Sequence, residues 1–122
     1  MSTMKPKAVF FTGTNGSGKS TLRESLLKNG EFSQEFVHID PDKIARDINP
    51  DNPRAVDMEA GRLAIGRFHQ VITDKRSFSM ETTLTGNSVL DRIQKAKAAG
   101  FEIEVYHVGL SHPDINVLRV QA

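Results

Sequence analysis

Gly13-Thr14-Asn15-Gly16-Ser17-Gly18-Lys19-Ser20 fits the pattern G-x-x-x-x-G-K-[ST] at every fixed position. The spacing has a chemical reason. Glycines let a loop curl until successive backbone N–H groups point at one anion. A helix beginning at Lys19 adds the positive end of its dipole. In that frame Lys19 reaches the β- and γ-phosphates as a mobile charge. The Ser20 hydroxyl is placed to ligate Mg²⁺, and Thr21 lies within reach of the α-phosphate. The motif therefore implies a nucleoside triphosphate, ATP or GTP, bound with Mg²⁺. A glycine-rich turn matching by chance would need neither a strand before it nor a helix after it.

Three acidic residues stand where they can act on the same ligand. Asp40 and Asp42 follow the apolar run Phe36-Val37-His38-Ile39, and Glu81 follows residues 77–80. Ligands of open α/β sheets sit beyond the carboxyl ends of the strands. A carboxylate opposite a phosphate loop can take the proton of an acceptor hydroxyl or hold Mg²⁺ through water. Asp42 is the candidate general base, and a helix cap before Lys43-Ile44-Ala45 is the structural alternative. Asp40 is equally a turn residue before Pro41. Glu81 suits Mg²⁺ support or a substrate contact. Thr82 and Thr83 either bond a substrate or begin the turn toward Gly86-Asn87.

These groups need elements to hold them. Ala8-Val9-Phe10-Phe11 is a short apolar run, predicted as a buried strand. Residues 19–28 are predicted as a helix with Leu22, Leu26 and Leu27 on its apolar face and Gly30 past its end. Val56, Ala60, Leu63, Ala64, Phe68, Val71 and Ile72 recur at helical spacing, which predicts a helix over 55–73. Gly61 and Gly66 each weaken it by about 1 kcal/mol relative to alanine. Asn87 is placed to cap a helix closed by Gly100. Phe101, Ile103 and Val105 alternate with glutamates, as in a strand. Strands alternating with helices imply an α/β fold with a parallel sheet and right-handed crossovers.

Bulk properties set bounds. The 122 residues suit one domain. A net charge of +1 gives no general attraction to nucleic acid or anionic membrane, so anion binding must be local. No cysteine is present, which excludes disulfides and thiolate metal sites and fits a reducing cytoplasm. The apolar run after the N-terminal lysines is too short for a signal peptide or membrane span. His38, His69, His107 and His112 show no metal spacing, and His38 and His107 read as packed, hydrogen-bonded strand residues. Arg62 and Arg67 read as solvated.

The order of Gly13 to Thr21, Ile39-Asp40-Pro41-Asp42, Glu81-Thr82-Thr83-Leu84 and Val108-Gly109-Leu110 resembles the zeta toxin family of P-loop kinases. The resemblance runs through nearly the whole chain. It implies a three-layer P-loop kinase fold and transfer of a nucleotide phosphate to a small-molecule hydroxyl. The best-known members act on the 3′-hydroxyl of UDP-N-acetylglucosamine and are held inactive by a small antitoxin. By the same resemblance Asp42 is the base, Lys19 and Ser20 handle phosphates and Mg²⁺, and Glu81 with Thr82 lies near the sugar. Family members continue beyond the equivalent of Ala122 with another strand and an arginine-bearing lid. The expectation is therefore a shortened fold with an open sheet edge beside residues 101–108 and Arg119 at the start of the lid. A chain that binds nucleotide without turnover, and another P-loop small-molecule kinase or NTPase, are the alternative readings.

Overall fold

Lys7–Thr12 forms β1, in which Ala8, Val9, Phe10 and Phe11 are all essentially inaccessible to solvent. An apolar run with no polar alternation is stable only where both faces are covered, and β1 accordingly lies in the middle of a five-stranded sheet. The structure is a computed structural model that describes residues 5–13, 19–30, 35–82, 87–110 and 115–121. Side chains of residues 20, 87, 108–110 and 115–121 are outside that description.

The other strands are β2 (Val37–Ile39), β3 (Phe78–Thr82), β4 (Glu102–Leu110) and β5 (Ile115–Gln121). Their order is β2-β3-β1-β4-β5. The first four run parallel, and β5 returns antiparallel along β4. The helices are α1 (Lys19–Lys28), α2 (Pro41–Ile48), α3 (Asp57–Asp74) and α4 (Asn87–Ala98), with a 3-10 turn at Pro53–Val56 leading into α3. Predicted and observed elements differ by a few residues at their ends, where fraying and turn chemistry decide.

One prediction is corrected. The sheet edge beside residues 101–108 is not open, because β5 pairs with β4 from Glu104↔Gln121 to Leu110↔Ile115. The stretch expected to begin a lid is therefore strand over 115–121, and the backbone of Arg119 sits opposite Tyr106. Ile115, Val117, Leu118 and Val120 are strand formers, and an antiparallel return requires only a short connection.

The two faces of the sheet are unlike. On one, Phe10, Phe78, Met80, Ile39 and Ile103 pack under Ala60, Ala64, Phe68 and Val71 of α3 and Ala96 of α4. Ala60 and Ala64, four apart, let the helix approach closely, and Phe68 fills the next turn. Phe78 makes edge-on contacts with Phe10, Phe68 and Phe101 at 5.7, 5.8 and 5.6 Å between ring centroids. On the other face, Val9, Phe11 and Tyr106 meet Leu22, Leu26 and Leu27 of α1. That face also carries a buried charge. Glu104 is 1% exposed, receives the Tyr106 hydroxyl at 3.1 Å and is ion-paired to Lys7. The alternation in β4 thus marks two covered faces, and the glutamate is tolerated because it is paired.

Gly61 and Gly66 lie inside α3, and a Cβ built at either meets nothing within 4 Å. Gly61→Ala and Gly66→Ala are each expected to stabilise the fold by about 0.5–1 kcal/mol, since alanine restricts the unfolded chain more. Urea unfolding midpoints at unchanged slope read the gain. A lowered midpoint would show that the glycine serves a contact.

Candidate nucleotide and phosphoryl-transfer site

The carboxyl ends of β1, β2 and β3 converge on one cleft, lined by Lys19, Asp40, Pro41, Asp42, Glu81 and Thr82. On one side β1 ends at Thr12, whose hydroxyl lies 2.8 Å from His107 Nδ1. The chain leaves through Gly13 at φ 144, a left-handed conformation that glycine adopts without strain. Residues 14–18 of the predicted phosphate loop lie outside the described residues. The structure resumes at Lys19, the first residue of α1.

Lys19 is 6% exposed, and its ammonium donates to the Gly13 carbonyl at 2.7 Å. This bond spans the two ends of the loop. Burial lowers the Lys19 pKa, while the charges of Glu81, Asp42 and Asp40, in that order, pull it back up. The ammonium thus sits in a poorly solvated place, within the field of three carboxylates. The Ser20 backbone continues α1, and its side chain is outside the description; Thr21 is exposed on the same helix.

On the opposite side, β2 ends at Ile39 and α2 begins at Pro41. Proline fits a first helical position because no N–H is needed there. The cap is Asp40. Its Oδ1 accepts the backbone N–H groups of Asp42 at 3.0 Å and Lys43 at 3.3 Å. The capping role weighed for Asp42 therefore belongs to Asp40, and Asp42 sits exposed in the first turn of α2 with its carboxylate not engaged in capping. Burial raises the Asp40 pKa, and the Glu81 charge adds to the effect. Three carboxylates against one lysine leave an excess of negative charge. Their hard oxygens suit a cation such as Mg²⁺.

Glu81 and Thr82, at the end of β3, are 5% and 4% exposed and form the floor. Thr83 is outside the described residues. Beneath them lies an arrangement that sequence reasoning missed. His38 Nε2 is 2.9 Å from Glu81 Oε2, and its Nδ1 is 2.7 Å from Ser79 Oγ. His38, Asp40 and Glu81 each bring one ligand atom within 4.8 Å of the others. Strand alternation places His38 and Asp40 on one side of β2, but only the β2–β3 register brings them to Glu81. Arg62, Arg67 and His69 lie exposed on α3. Among the described residues, no helix is long and apolar enough to cross a membrane.

Comparison with known proteins agrees with this architecture. A Haemophilus influenzae protein of uncharacterised function is 47% identical over 121 residues, covering 98% of this chain and 81% of its own. The structure resembles a chain from the PezAT chromosomal toxin-antitoxin system of Streptococcus pneumoniae, with a TM-score of 0.71 at 19% identity. It also resembles a candidate kinase from Chloroflexus aurantiacus, with a TM-score of 0.64 at 16% identity. These alignments cover 92% and 87% of this chain but only 50% and 60% of the solved chains. At such identities the likeness concerns the fold, and it is an α/β fold with a parallel four-stranded core like that seen here. The family model for zeta toxin matches residues 1–121, so this chain, in which Lys19 shares a cleft with Asp40, Asp42 and Glu81, belongs to the zeta toxin family.

Proposed function

We propose that this chain is a zeta-toxin-like phosphotransferase that moves the γ-phosphate of ATP, or GTP, to a hydroxyl of a small molecule. The acceptor class proposed is a UDP-sugar such as UDP-N-acetylglucosamine. One observation carries the reading: Lys19 and Asp42 line the same cleft, together with Glu81 and Thr82. A donor-side cation and an acceptor-side base must share one space if a phosphoryl group is to pass between two oxygens in line.

The proposed roles follow from the motif and the family. Gly13, Thr14, Asn15, Gly16, Ser17, Gly18, Lys19, Ser20 and Thr21 would cradle the triphosphate. Mg²⁺ would be held by Ser20 and, through water, by Asp40, and would supply neutralising charge to the phosphates. Lys19 follows the transferring group. Asp42 accepts the proton of the acceptor hydroxyl as its oxygen bonds to the γ-phosphorus and the bond to the β-phosphate oxygen breaks. Glu81 and Thr82 hold the acceptor. A small antitoxin is the corresponding proposed protein partner, supported by the likeness to a toxin-antitoxin system.

Mass spectrometry of the purified chain with Mg²⁺-ATP and a panel of UDP-sugars tests this. A phosphorylated sugar nucleotide is the expected product. ATP binding with no product across the panel would favour a nucleotide-binding chain without turnover.

A further inference from the structure

The floor of the cleft rests on one line of hydrogen bonds through three side chains. Ser79 Oγ lies 2.7 Å from His38 Nδ1, and His38 Nε2 lies 2.9 Å from Glu81 Oε2. The line exists because β2 and β3 pair with His38 beside Ser79, while Glu81 follows two residues later on the same face. Ser79 is fully buried, and the side chains of His38 and Glu81 are 16% and 7% exposed. A serine, a histidine and a carboxylate in line also suggest nucleophilic hydrolysis. Ser79 excludes it, because no reacting atom reaches a hydroxyl with zero exposure.

We propose that His38 is a positioning residue for the acceptor side of the site. Ser79 fixes the ring from behind, and the ring in turn fixes Glu81 Oε2. Glu81 then meets the acceptor hydroxyls in one orientation instead of several. A glutamate side chain has three rotatable bonds, and holding it in place before the ligand arrives removes an ordering penalty from acceptor binding. Lys19 is bonded to the Gly13 carbonyl and not to His38, so the ring bears on the donor side only through the charge of Glu81, which a change at position 38 leaves in place. The proposal rests on the kinase reading above, in which Glu81 contacts the acceptor.

Two variants test it. Glutamine at position 38 can still offer an amide N–H toward Glu81, whereas leucine offers none. His38→Leu is expected to raise KM for the acceptor by about tenfold while ATP affinity by calorimetry stays within about twofold, and His38→Gln is expected to recover most of the loss. An unchanged acceptor KM in His38→Leu, or an equal loss of ATP affinity, overturns the proposal. The contact is also read without any acceptor. In ring ¹⁵N–¹H correlation spectra of the whole chain at neutral pH, His38 is expected to carry a proton on Nε2, and its signal to move in Glu81→Gln. A proton on Nδ1 alone, or a signal unmoved by Glu81→Gln, overturns it equally. If the wild-type chain phosphorylates no acceptor, the kinase reading falls, and the ring spectrum still decides whether His38 holds Glu81.

Discussion

Asp42→Asn is expected to lower phosphoryl-transfer turnover by about 10²–10⁴-fold and to leave ATP affinity within about twofold. Asparagine keeps the shape of aspartate but cannot take a proton from an acceptor hydroxyl. The structure makes the variant a clean one. Asp42 is exposed in the first turn of α2, and the side chain that caps this helix is Asp40. Nothing in the core or the cap is lost with the charge. Single-turnover transfer monitored by mass spectrometry, alongside calorimetry with ATP, separates chemistry from binding. Turnover within about threefold of wild type would remove Asp42 from the role of base.

The second large effect is expected on the donor side. Lys19→Ala removes a buried ammonium bonded to Gly13, at the joint where the phosphate loop meets α1. A hydrogen bond to a charged group contributes about 1.5–3 kcal/mol, and each 1.4 kcal/mol is about tenfold in affinity. ATP binding is therefore expected to weaken by about 100-fold, read by calorimetry. Circular dichroism should show the fold retained, because the core clusters on both sheet faces do not include Lys19. Unchanged ATP affinity would remove the phosphate-loop assignment altogether.

The parts of this site that a sequence can show are those tied to strand ends. The apolar run before Gly13 and the helical pattern after Lys19 are legible in the sequence as the strand and helix that flank the predicted phosphate loop. Asp40, Asp42 and Glu81 were likewise placed together, since parallel strands deliver their carboxyl ends to one edge. What stayed hidden depended on pairing between distant strands. His38 and Glu81 are 43 residues apart, and only the lateral alignment of β2 with β3 makes them neighbours. Of the two aspartates flanking Pro41, the sequence offers a cap only as the alternative for Asp42 and a turn for Asp40, whereas the cap is Asp40. The preference of proline for the first helical position would have pointed to the residue before it. The antiparallel return of β5 was hidden for a different reason. Residues 115–121 have strand-forming composition, and that local pattern, not the lid implied by the family resemblance, matches the observed strand.

The aromatic cluster around Phe78 has a meaning beyond stability. In a strand, neighbouring side chains point to opposite faces, so a slip of one residue exchanges the faces completely. In β3 such a slip would carry Glu81 and Ser79 into the layer beneath α3 and turn Phe78 and Met80 toward α1. The three rings surrounding Phe78 make that exchange prohibitive. Phe78 therefore serves as an alignment pin. It lies outside the cleft lining, in the core beneath α3, yet it determines that the acidic side chain three residues later opens into the cleft.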